Sequence, residues 1–308
     1  MIPSAAPRRS LFDRLGSNAW LLLSFTMAAW GGNVVAAKVA VGHVSPMLIV
    51  CGRWAFVLVI LIAAGFRRLL DALGTLRPHW RFVFMMGFIG FTLSNSMFYQ
   101  GAVFTSGVHI ALIQSMMPIF VLFGAALVFR ARLSLAQLSG AALTIAGIGL
   151  IASRGRLEVL AHLSFNRGDL IAIGGAALFA VFTLGLRNRP NVSAYVFFVG
   201  IALAAFLSSI PGLLLEMAAG ATIWPDLTGL GILLYVAIFT SLLGQIFFIR
   251  AVALVGPGRA GMFQNLVPVI GALLSAVALR EPFRLYDFGA LALVLAGIGV
   301  SERLAKSR

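Results

Sequence analysis

Apolar runs of about 20 residues recur along this chain, each closed by a short break rich in Gly, Pro or Arg. A run of that length crosses the hydrocarbon core of a bilayer as a helix. Lipid offers an unpaired backbone group no partner, so the spans must satisfy their own hydrogen bonds. The apolar windows predict ten spans, near 19–41, 46–66, 80–103, 107–129, 135–153, 168–187, 193–214, 228–249, 257–279 and 285–302. The breaks include "GHVSP", "RRLLDALGTLRPHWR", "RNRPN", "GPGR" and "REPFR", and none is long enough for a soluble domain. Composition agrees. Hydrophobic residues make up 61% and charged residues 10%, with mean hydropathy +1.02, where soluble domains carry about 25% charge. The fold class expected is an all-α integral membrane protein of ten transmembrane helices, with the lipid bilayer as its partner.

The net charge of +14 does not imply nucleic acid. Lys and Arg sit in short gaps between apolar runs rather than in one patch, which is a topology signal. With the N-terminus inside, Arg8, Arg9, Arg14, Arg67, Arg68, Arg77, Arg81, Arg130, Arg132, Arg187, Arg189, Arg250, Arg259, Arg303, Lys306 and Arg308 share the cytoplasmic face. Lys38, Arg154, Arg156, Arg167, Arg280 and Arg284 are left for the other face. Residues 1–18 and 303–308 are then cytoplasmic tails. Short tails and the excess of Arg over Lys point to a bacterial inner membrane. Cys51 is the only cysteine, so neither an internal disulfide nor a thiolate zinc cluster can form. No cofactor or metal is expected.

A repeat organises the spans. "IQSMMPIFV" at Ile113–Val121 and "FQNLVPVIG" at Phe263–Gly271 put Gln114 on Gln264, Ser115 on Asn265 and Pro118 on Pro268, each 150 residues apart. At the same offset "LTIAGIG" falls on "LVLAGIG", and Leu93, Phe98, Ala126, Arg130 and Leu135 meet identical residues. Leu and Gly match easily in oily helices; Gln, Pro and Arg at constant offset do not. The expected repeats are 19–153 and 168–302. Each holds five spans, and five is odd, so the second copy enters the membrane from the opposite side. Such inverted repeats underlie alternating access in many secondary transporters.

Polar groups within the spans each need a reason. Pro118 and Pro268 remove an N–H and disturb the carbonyl four residues back, so both are expected hinges, with Gln114, Ser115, Gln264 and Asn265 lining a solute cavity. The alternative is that the amides hydrogen-bond helix to helix. Asn95 and Tyr99 on the third span, Ser241, Gln245 and Phe248 on the eighth, Trp30 and Asn33 on the first, and Phe179 beside Thr183 on the sixth complete an aromatic-walled cavity. It suits a small solute with an apolar body and a polar head. Every Asp and Glu falls in a loop, a tail or a helix end, which argues against a buried-carboxylate proton relay. His109 is the titrating group available for proton coupling. Arg53 within the second span could take a substrate carboxylate; the reading favoured is structural, holding the first two spans together. Small residues at Gly140, Thr144, Gly147, Ala292 and Ala296 allow close packing within a protomer or across a dimer, so monomer and homodimer both stay open.

"WGGNVVAAK", then Ser45–Pro46, then Arg53–Trp54, together with Pro118 and "LSLAQLSGAALTIAGIGL", resemble the EamA domain of the drug/metabolite transporter superfamily. The resemblance covers nearly the whole chain as two tandem copies. It implies ten helices, both termini in the cytoplasm and export of metabolites or drugs, with the aromatic amino-acid exporter group fitting the cavity best. One departure is clear: family members commonly carry Glu after the fourth and ninth spans, and here Glu281 stands in the second copy but Ala131 in the first. The function expected is a transporter of small solutes, pointing to amino acids with aromatic or apolar side chains. Phosphorylated metabolites and nucleotide sugars would need more cavity cations, and cationic drugs a buried carboxylate. Four His, one Cys and the lack of mid-span acids leave little for an intramembrane enzyme; a scaffold would not need the repeat.

Overall fold

The computed structural model describes residues 18–130, 133–152, 166–255, 263–264, 266–280 and 284–305. Every regular element among them is a helix. Helix α1 (Ala19–Val39) starts at Asn18, whose side chain accepts from the N–H groups of Trp20 and Leu21. That satisfies two of the donors a helix start leaves open. Helix α2 (Pro46–Leu76) begins with Pro at its first position, where no N–H is needed. A 3₁₀ turn, Arg77–His79, leads into α3 (Trp80–Gly87), a π-helical stretch Phe88–Leu93 and α4 (Ser94–Phe104). Then come α5 (Gly107–Gln114), α6 (Met117–Phe129), α7 (Leu135–Ala152), α8 (Arg167–Gly185) and α9 (Ala194–Ala218). Helix α10 (Leu227–Tyr235), a second π-helical stretch Val236–Leu243, α11 (Gly244–Val255), α12 (Leu266–Ala278) and α13 (Leu285–Ala305) complete the chain.

Among the described residues, six helical stretches are long and apolar enough to cross a membrane: Ala19–Val39, Pro46–Phe104, Gly107–Phe129, Arg167–Asn188, Ala194–Ala218 and Leu227–Val252. Pro46–Phe104 is a helical stretch of 59 residues, interrupted at Gly65 and by the 3₁₀ turn Arg77–His79, the two ends of the segment the sequence reads as a break. The chain leaves helical geometry at Gly65 and resumes. Beyond it Leu69, Ala72 and Leu76 are buried while Arg67, Arg68 and Asp71 are exposed. That spacing puts the apolar residues on one helix face, so the charged segment after the break at Gly65 is itself helical. The charges give it a wet side.

The two halves interlock. Helix α1 packs on α11 and α12, and α8, near the same place in the second half, packs on α4 and α6. Helices α2 and α9 pair, as do α7 and α13. Local geometry repeats as well. Arg130 and Arg280 both adopt the left-handed conformation at φ 52°. The N–H of Ser134 donates to the Gln137 side chain, and that of Arg284 to Asp287. Between α7 and α13, a Cβ on Gly147 would lie 2.8 Å from the Ala290 carbonyl oxygen, and one on Gly297 would strike Gly140 and Thr144. The small-residue faces are therefore used inside the protomer, where they let two backbones touch. The core between the pairs centres on Trp54, fully buried against Phe91 and Phe198.

Candidate solute cavity

Both π-helical stretches border the same region. A π turn spaces its hydrogen bonds one residue wider than an α-helix and re-aims the side chains that follow. After the first, Asn95 Nδ2 donates to the Phe91 carbonyl at 2.8 Å. Within the second, Ser241 Oγ donates to the Val236 carbonyl, five residues back, at 2.8 Å. The Thr240 carbonyl there accepts from Trp30 Nε1 at 3.0 Å.

Arg53 ties these pieces together. Its Nε donates to Ser241 Oγ at 3.0 Å and its Nη1 to Asn95 Oδ1 at 3.0 Å and Tyr99 Oη at 3.4 Å. Tyr99 in turn donates to Asn33 Oδ1 at 2.8 Å. One guanidinium on α2 thus links α1, α4 and the second π stretch. Its hydrogen-bond partners among the described residues are side chains, and its guanidinium carbon stands over the Trp54 ring, 5.1 Å from the ring centre.

A cavity of about 560 Å³ opens beside this network. Trp30, Asn33, Asn95, Gln114, Ser115, Phe179, Thr183, Gln245, Gln264 and Pro268 line it, as does Arg53. Tyr99 and Ser241 are buried in the supporting layer, joined to the cavity through Arg53. Phe248 packs against Trp30, ring centres 5.3 Å apart. Asn265 lies outside the described residues, as do Ala131 and Glu281. The wall carries no Asp or Glu among the described residues. Ser115 Oγ is buried and has no hydrogen-bond partner among them.

The helix is interrupted just before Pro118. Helix α5 stops at Gln114, and the N–H groups of Ser115 and Met116 bond only three residues back, to Leu112 and Ile113. Pro118 occupies the second position of α6, where its missing N–H costs nothing. Gln114 and Ser115 therefore stand at a helix interruption beside the cavity. Pro268 is buried near the start of α12.

The cavity reaches past Met117, Leu122 and Ala125 to Gln137, Thr144 and Gly297, toward the α6–α7 connection. Beyond Ile110 and Ala172 on the other side of the cavity, polar contacts join α1, α4 and α8. Lys38 Nζ donates to the carbonyls of Ala102 and Thr105 at 2.9 and 2.8 Å. Thr105 Oγ1 donates to Asp169 Oδ1 at 2.6 Å and accepts from Asn166 Nδ2 at 3.0 Å. His109 Nδ1 stands 3.5 Å from Asp169 Oδ1, away from the cavity wall. Close approach of α4 and α8 here depends on two glycines: a Cβ on Gly168 would sit 2.7 Å from the Gly101 carbonyl oxygen. Asp169 lies in the first turn of α8, as a helix-end acid should, yet it is only 5% exposed. It closes a capping box with Asn166.

The profile of the EamA-like transporter family matches residues 18–153 and again 166–302. The chain belongs to the EamA-like transporter family. An uncharacterized transporter of Bacillus subtilis, YyaM, is 27% identical over 292 residues, covering 90% of this chain and 91% of that protein. A Salmonella typhimurium protein named "Probable amino-acid metabolite efflux pump" is 29% identical, covering 91% of this chain and 93% of its own. A solved protein structure superposes with TM-score 0.66 at 20% identity, covering 94% of this chain and 98% of its own, which shows a shared fold. This EamA-like protein is thus a multi-pass membrane transporter carrying two copies of the family domain.

Proposed function

We propose that this EamA-like transporter moves small organic solutes across the bacterial inner membrane by alternating access, and that amino acids with aromatic or apolar side chains are among them. The observation that carries this reading is the cavity: amide, hydroxyl and aromatic groups from both halves surround about 560 Å³, room for one small solute. The relative named as an amino-acid metabolite efflux pump supports the substrate class. In this reading the chain spans the membrane ten times as two inverted five-helix repeats, 19–153 and 168–302, with both termini in the cytoplasm. The exchange-symmetric packing of α1 with α11 and α12, and of α8 with α4 and α6, supports it. The cavity then faces the cytoplasm, and the Lys38–Thr105–Asp169 contacts are the closed outer gate. Pro118, at the interruption between α5 and α6, and Pro268 in α12 are the hinges, and His109, set against Asp169 at that gate, is where a proton could act.

Solute flux in proteoliposomes tests this. Labelled aromatic and apolar amino acids should exchange without an ion gradient. Flux that requires an imposed proton gradient would move the coupling to His109. Absence of any amino-acid flux under both conditions would overturn the substrate class. A green fluorescent protein fused after Arg308 should fluoresce in cells, since it folds only on the cytoplasmic side; a dark, stable fusion would overturn the orientation.

A further inference from the structure

Arg53 is 5% exposed and lines the cavity, yet no carboxylate pairs with it among the described residues. Their ion pairs are His43 with Asp226 and His109 with Asp169. The hydrogen bonds of the guanidinium use Nε and Nη1 and go to neutral oxygens on Ser241, Asn95 and Tyr99. No such bond from Nη2 is found among the described residues. Burying a cation without a counter-charge is costly. Neutral acceptors and the Trp54 ring offset part of that cost. They also hold the guanidinium plane still and leave the Nη2 hydrogens for a carboxylate oxygen, a charge-assisted bond.

The rest of the wall constrains the partner further. It contains no acid among the described residues, so a solute ammonium would find only neutral oxygens. A single cation is neutralised by a monoanion; a phosphate dianion would leave a surplus buried charge. The apolar and aromatic wall, with Phe91, Phe98 and Phe179, takes an apolar body.

We propose that the cavity is a receptor for organic monocarboxylates, their carboxylate docked on Arg53, and that an α-amino group is not required. This rests on the transport reading above and makes free amino acids one case of a wider class of anions.

Calorimetry on the full-length protein in lipid nanodiscs, at neutral pH, tests it with 3-phenylpropanoate, its uncharged amide and L-phenylalanine. The acid should bind at least about tenfold more tightly than the amide, and L-phenylalanine no more tightly than the acid. Arg53→Gln should abolish the acid's advantage, and Arg53→Lys, which keeps the charge but not the guanidinium held by Ser241, Asn95 and Tyr99, should retain part of it. An amide that binds as well as the acid overturns the assignment, as does an acid preference that survives in Arg53→Gln. Tenfold tighter L-phenylalanine, or binding of neither acid nor amide, does so too. If Arg53→Gln does not fold, the wild-type comparison of acid with amide decides alone. Flux measured on the same preparation separates the two readings. Amino-acid flux without acid preference overturns the Arg53 assignment alone; acid binding without flux of any solute overturns the transport reading alone.

Discussion

Single side chains set the chemistry of this cavity, and they differ in how far the sequence announces them. Gln114 and Gln264 stand out in an apolar run, and both reach the cavity wall. Changing either to Ala should lower flux about tenfold, on the order of 1.4 kcal/mol, while the variants purify and melt as the wild type does. Equal loss of folded protein in both variants would mean that they act as glue between helices instead. Arg53 is as conspicuous in the sequence, but its role was not legible there, because the sequence cannot show which helix face meets a cavity. Its acceptors lie 42, 46 and 188 residues away. Outside the membrane, Asp226 caps α10. The Gly229 N–H and the His43 side chain hold its carboxyl below the usual carboxylate range. A lowered folded-state value means stabilisation above the unfolded value that is lost as pH falls through the folded one. Melting temperatures of wild type and Asp226→Asn should therefore differ at neutral pH and converge in acid; a gap that widens in acid would refute this.

At the scale of elements, the apolar windows located the helices closely in the first half. Predicted starts at 19, 46 and 107 coincide with α1, α2 and α5, because Asn18, Pro46 and Ser106 are strong helix-start residues. The π-helical stretches left no comparable signal. Widening a turn depends on what packs beside it, here Trp30 on the Thr240 carbonyl and Arg53 on Ser241. The end expected near 66 matches the break in helical geometry at Gly65; what the composition hid is that the Arg- and Asp-rich residues beyond it form helix again, with Leu69, Ala72 and Leu76 on a buried face. Between α7 and α13 there is no room for a side chain at Gly147 or Gly297. Gly297→Val should destabilise by about 1–3 kcal/mol through overpacking, seen as a lower melting temperature in detergent. An unchanged melting temperature would show that the two helices can part without cost.

For the whole molecule, alternating access requires the closed end to open. Replacing Thr105 and Asp169 by Cys in a Cys51→Ser background should let oxidation lock that end. Flux should then stop and return on reduction; continued flux in the oxidised protein would show that this end is not a gate. Membrane residence, helical class and the duplicated unit were determined by the sequence alone, since each depends on hydropathy or on identities at a fixed offset of 150. Those signals are local or periodic, and lipid leaves the backbone little choice. Tertiary structure alone decided that α7 and α13 pair within one protomer, that α1 meets α11 and α12, and that Arg53 faces the cavity. Each of these is a choice among chemically similar apolar faces. Close packing of small residues and the pairing of a few buried polar groups discriminate between them, and neither exists until the helices are assembled.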